Sequence, residues 1–218
     1  MSAWVLALCC LFSSDASAIR TTPYTALSVY LTTTPSQPLA PLENKKRELS
    51  ALMQAGGFRI IWGDPRTPDK TGQANLAVLE LRGPCAMPPG GYRVEREVDG
   101  GGKIAETPVE NGVVLPFSFV NCANLTRMIG PALSLEAAAQ RDYLYGRALA
   151  RVVAHELYHV IMGSRDHGQE GVSKATFTTA NLLDELFDFD GAALVKLRQR
   201  ATEGDFHSEP TVDAVTGR

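Results

Sequence analysis

Several features that would assign a chain to a simple class are missing here. No apolar run in the 218 residues reaches the roughly 20 needed to span a bilayer as a helix. Basic residues number 21 and acidic ones 24, a formal charge of −3. That is too little positive charge for nucleic acid or an anionic membrane surface to be the main partner. No internal repeats occur, which excludes a solenoid. Histidine and cysteine are scarce, at four each, so any site built from them must draw on few positions. What remains is an ordinary composition, 44% hydrophobic, suited to one domain with a substantial core. No sequence feature fixes the oligomeric state.

The first 18 residues join a short apolar run, Trp4 to Phe12, to Ala16-Ser17-Ala18. That pattern is expected of a signal peptide cleaved after Ala18, although its start lacks Lys and Arg. The mature chain would then be secreted or periplasmic, and its charge would be −2 once Asp15 is lost. Cys9 and Cys10 would leave with the leader, and Cys85 and Cys122 would remain. One cysteine pair in an exported chain is expected to form a disulfide.

Alternation over 25–31 predicts a strand. Over 42–55 the apolar Leu42, Leu49, Leu52 and Met53 face one way, with Lys45, Lys46, Arg47 and Glu48 largely opposite. This predicts an amphipathic helix stopped by Gly56-Gly57. A strand over 58–62 completes a βαβ unit. A further strand is expected over 75–81, covered on both faces. Pro/Gly-rich loop fills 83–102, with Tyr92 to Val98 and Lys103 to Thr107 as the arms of an exposed hairpin. The stretch 113–120 reads as a strand that Pro116 places at an edge or bulge. A long helix is expected from Ser134, as its N-cap, to Met162, with Gly146 weakening its middle and Gly163 as its C-cap. Thr179 and Asp190 are expected to cap helices reaching Phe187 and Ala201. A domain over 19–201 and a mobile polar tail over 202–218 follow.

Within the long helix stands His155-Glu156-Leu157-Tyr158-His159, an HExxH string. Residues four apart share a helix face, so His155 and His159 can hold one metal ion. Glu156, one step round, would adjoin a water on that metal and take its proton. Leu149, Val152, Val153, Leu157, Val160 and Ile161 recur at helical spacing around the motif. Zinc hydrolases normally use three protein ligands. His207 falls in the expected tail, whereas His167 follows Gly163, which lets the chain leave the helix and fold back. His167 is therefore the expected third ligand. Glu185 is the competing choice, and Asp166 and Glu170 are nearby carboxylates able to orient a ligand imidazole.

The string HELYHVIMGSRDH resembles the HExxHxxGxxH pattern of metzincin-like zinc metallopeptidases. It is similar to exported bacterial proteins of zincin type over roughly residues 143–201. Both gaps are one residue longer than in the metzincin pattern. Metzincins also place a methionine turn after the third histidine, but no methionine follows Met162. Gly171-Val172-Ser173-Lys174 stands in its place.

The resemblance implies an α+β fold: a twisted mixed sheet, a long active-site helix and a small, mainly helical C-terminal part. It implies Zn2+ on His155, His159 and His167, with Glu156 as general base for peptide hydrolysis through a zinc-bound water. The partner would be a peptide or protein substrate, lying on an edge strand from the 92–107 hairpin or the 113–120 segment. Arg165 is a weak candidate for an oxyanion donor. Two other classes stay open: an inactive zincin-fold binding or structural protein, and a zinc hydrolase acting on a non-peptide amide or ester.

Overall fold

The computed structural model describes residues 24–33, 38–64, 66, 75–88 and 102–204. The expected leader, the Tyr92 to Val98 hairpin arm, His207 and most of the expected tail lie outside the described residues.

The fold is α+β. Strand β1 (Thr25–Thr33), helix α1 (Leu39–Ala55) and strand β2 (Phe58–Gly63) form the βαβ unit, with β1 and β2 parallel from Thr25 opposite Phe58. Strand β3 (Leu76–Arg82) pairs in parallel on the other side of β1. Its alternating buried Ala77, Leu79 and Leu81 mark a sheet face packed on the core. The full order is β2-β1-β3-β7-β4, with β7 (Phe117–Asn121) parallel to β3 and β4 (Ala105–Glu106) antiparallel at the edge.

The stretch 113–120 is not one strand, and its larger piece is not at an edge. Val113–Val114 (β6) instead closes a two-stranded hairpin with Val109–Glu110 (β5). Asn111, at φ 50°, and Gly112 make its left-handed turn. Pro116 separates hairpin from sheet, and its carbonyl still accepts from Val78 N at 2.8 Å. Proline thus ends one ladder without costing the next a donor. Strand β7 sits inside the sheet between β3 and β4.

Helix α2 (Cys122–Leu133) was not expected. Asn121 caps it by accepting from Asn124 N at 3.1 Å. Leu125, Ile129 and Leu133 line its buried face at four-residue spacing. Pro131 lies inside α2, and Ser134 is the C-cap of α2 rather than the N-cap of the long helix. That helix, α3 (Ala138–Met162), starts three residues later than expected and has no side-chain cap. A disulfide joins Cys85 to Cys122 and so ties the end of β3 to the start of α2. Closing a 37-residue separation removes roughly 4 kcal/mol of unfolded-chain entropy in the loop-closure picture.

Every residue of α3 from Tyr145 to Ile161 is buried, so this is a central helix. It packs against α1, α2, β4, β7 and the two C-terminal helices, α4 (Thr179–Leu183) and α5 (Gly191–Glu203). Gly146 does not interrupt it. A Cβ there would press on Asn44 Cβ, Pro41 O and Lys45 N, so the glycine lets α1 and α3 meet backbone to backbone. That crossing buries a second side of α1, and Lys45, expected on the wet side, is fully buried. Thr178, not Thr179, caps α4 in a capping box with Asn181, and α4 ends at Leu183 instead of Phe187. Asp190 caps α5 as expected, accepting from Ala193 N at 2.7 Å.

Candidate metal centre

The helical repeat brings the His155 and His159 rings to 4.7 Å between centroids on one face of α3. Gly163, at φ 58°, caps α3 in the left-handed region, which glycine adopts without strain. The chain then turns back, and Gly168 and Ser173 close the returning loop with a 2.9 Å backbone bond. A side chain at Gly168 would collide with Ser173 Oγ, and one at Gly171 with Asp188 O. This compact loop delivers His167, whose ring stacks on His155 at 5.2 Å and meets His159 edge-on at 4.8 Å. One nitrogen from each of the three histidines lies within 4.8 Å of the others. They can hold a metal ion.

The hydrogen bonds behind the rings define what these nitrogens offer. His155 Nδ1 is 2.8 Å from Val172 O, and His159 Nδ1 is 2.8 Å from Ser164 O. A backbone carbonyl only accepts, so both Nδ1 atoms carry the proton. In the neutral rings both Nε2 atoms are then bare. They stand 3.1 Å apart, with no proton between them to make a hydrogen bond. Burial holds His155 down to about 4, helped by the neighbouring His159 and His167 and opposed by the Val172 bond. His159 is lowered too, by burial first. At neutral pH two lone pairs therefore face the same space, an arrangement that a shared cation relieves.

The groups orienting the ligands are backbone carbonyls, and not Asp166 or Glu170. No sequence pattern announces a carbonyl in that role. The short 3-10 turn Gly171–Ser173 stands where a methionine turn was missing, and Val172 in it is fully buried. Val172 thus supplies the acceptor for His155 from a fully buried position. Phe177 packs edge-on against the His155 ring at 5.2 Å. Glu185 is elsewhere: its side chain is 82% exposed and lies 3.6 Å from Arg147.

Two buried arginines of α3, unremarked in the sequence, fix the segment beyond the loop. Arg151 donates from Nη1 to Asn181 O and Leu182 O at 3.1 and 2.9 Å, and Arg147 donates from Nη1 to Leu183 O at 3.1 Å. They satisfy the last carbonyls of α4, where positive charge also suits the helix dipole. Glu48 of α1 lies 3.5 Å from Arg151 and 3.9 Å from Arg147.

Glu156 is 6% exposed and opens onto a cleft of about 480 Å³ that the three histidines also line. Ile104, Val109, Val114, Met128 and Phe177 give the cleft apolar walls, and Lys103, Glu106 and Arg165 bring charge. Burial pushes Glu156 up to about 7, against a hydrogen bond from Thr107 that lowers it. A carboxyl near neutrality can both take and return a proton. Edge strand β4 flanks the same cleft. No protein-family model matches the chain, and no curated protein is significantly similar to it.

Proposed function

We propose that the chain is a zinc-dependent metallopeptidase, exported in its mature form, that hydrolyses peptide bonds with Glu156 as general base. The observation carrying this reading is the pair of bare, converging Nε2 atoms of His155 and His159 beside a buried carboxyl. Two ligands at roughly 2.0–2.1 Å from one tetrahedral ion stand about 3.3 Å apart, close to the 3.1 Å seen here. His167 is exposed, so its ring has room to close on the other two. Three neutral imidazoles are a donor set that suits zinc and leaves a fourth position open.

Zinc held by His155, His159 and His167 would acidify a water and polarise the substrate carbonyl. The chain's own residues do the rest. Glu156 removes the proton from the attacking water and later hands it to the leaving amine. The apolar cleft walls exclude bulk water from Glu156, and this is also what raises its proton affinity. An extended substrate would fit along the side of β4 that has no partner strand among the described residues. The Cys85–Cys122 disulfide supports an oxidising compartment, as the leader pattern does.

The test is zinc content by mass spectrometry after dialysis, with cleavage of a denatured protein, for the wild type and Glu156→Gln. About one zinc per chain in both proteins, with cleavage lost only in the variant, is the expected result. A folded wild type that neither carries nor takes up zinc would overturn the reading.

A further inference from the structure

We propose that Thr107 is the positioning residue for Glu156, its hydroxyl pinning one carboxylate oxygen so that the other faces the cleft. The inference rests on the reading of Glu156 as the proton-transferring group. Thr107 lies 49 residues before Glu156 and follows edge strand β4, yet its Oγ1 stands 2.6 Å from Glu156 Oε2. The same oxygen is 2.8 Å from Ser118 Oγ and 3.3 Å from the Glu156 carbonyl. An ionised carboxylate only accepts, so the Thr107 proton points to Oε2. Ser118 must then donate to Thr107.

Ser118 is 1% exposed and sits opposite Leu79 in the parallel register of β3 and β7. The carboxylate is thereby tied, through two hydroxyls, to the interior of the sheet. Oε1 has no hydrogen-bond partner among the described residues. It is the oxygen left to work in the cleft. A glutamate on a cleft wall has three rotatable torsions, and burial alone selects none of them. The short contact to Thr107 does. A hydroxyl both donates and accepts, so the contact survives when Glu156 carries a proton. An ammonium or an N–H in its place could only donate.

The experiment uses the zinc-loaded protein and the variants Thr107→Val, Thr107→Ser and the double change Thr107→Val with Ser118→Ala. Valine keeps the shape and removes the donor, and the double variant avoids stranding the buried Ser118 hydroxyl should the single one fail to fold. Crystal structures read the Glu156 carboxylate, and steady-state kinetics on one peptide read kcat and KM separately. Loss of the donor should displace or split the carboxylate and lower kcat about 10- to 100-fold, as misplacement by ~1 Å does. KM and zinc content should hold, and Thr107→Ser should restore both position and turnover. A Glu156 carboxylate that stays in place in the valine variants overturns the proposal, whatever the turnover. If the carboxylate moves but even the wild type cleaves no peptide, the positioning role stands and the peptidase reading falls.

Discussion

Lys45 offers a sharp test of the packing argument, because its burial has a calculable pH signature. The residue is fully buried, and its Nζ has no hydrogen-bond partner among the described residues. The Trp62 ring lies 4.9 Å from Nζ. Burial, with help from Lys46 and against Glu43, lowers its proton affinity from the ordinary 10.5 to about 7. Each tenfold change is worth about 1.4 kcal/mol, so the charged form is destabilised by on the order of 5 kcal/mol. Below pH 7 lysine is protonated in both states and the full penalty of about 5 kcal/mol applies. Between 7 and 10.5 only the unfolded chain holds the proton, so stability climbs with pH; above 10.5 the charge penalty is gone. Lys45→Met should therefore stabilise by about 5 kcal/mol more at pH 6 than near pH 10.5. Near pH 10.5 the gain should shrink to the ~1 kcal/mol cost of a buried amine without a partner. Urea unfolding of both proteins at four pH values between 6 and 10.5 measures the difference. A difference that stays flat with pH, or a variant less stable at pH 6, would refute the argument.

Two further predictions test the site and the helix that carries it. His167→Ala should weaken zinc binding by at least ~100-fold, more than loss of an outer hydrogen-bond partner does, with an unchanged circular dichroism spectrum. Glu185→Ala should leave affinity as it was, and the reverse pattern would make Glu185 the ligand. Gly146→Ala gains ~1 kcal/mol of helix propensity, but its Cβ meets backbone and Cβ atoms of α1, an overpacking worth about 3 kcal/mol or more. The net loss of about 2 kcal/mol should lower Tm by roughly 4–8 °C for a domain of this size; an unchanged or higher Tm would show that the helices separate freely.

What could be read from the sequence divides by the range of the interaction. The pairing of His155 with His159, the stop at Gly163 and the cap at Asp190 are local matters of helix period and backbone freedom, and the structure has all three. Helix α2 was also legible in Asn121 and the Leu125, Ile129, Leu133 spacing, although Pro131 lies inside it. Proline inside a helix gives up the bond to the carbonyl four residues back, and α2 runs only to Leu133 beyond it. Lys45 was misplaced for a different reason. An amphipathic pattern assumes one dry face, and α1 has two, because Gly146 admits it against α3 as well as the sheet. The Thr107–Glu156 contact has no sequence signal at all: a threonine beside an edge strand is ordinary until the fold sets it 2.6 Å from a carboxylate.

The lengthened motif shows most clearly why spacing along the chain is a weak guide to spacing at a site. Histidines eight residues apart, His159 and His167, can be neighbours only if the connection doubles back. The left-handed turn at Gly163 reverses it. Just beyond His167, the bond from Gly168 N to Ser173 O anchors the returning chain, in a segment that glycines at 168 and 171 keep free of side-chain collisions. An extra residue on each side of Gly163 can lengthen the connection without moving its ends, because α3 holds one end and the 168–173 segment holds the other. The same reasoning applies to the methionine that is missing. What the turn after the third histidine contributes here is a buried apolar residue and an acceptor for Nδ1–H, not a thioether. Val172 brings both, fully buried and with its carbonyl 2.8 Å from His155 Nδ1. A sequence pattern records one family's solution to these two demands, whereas the physical demands admit others.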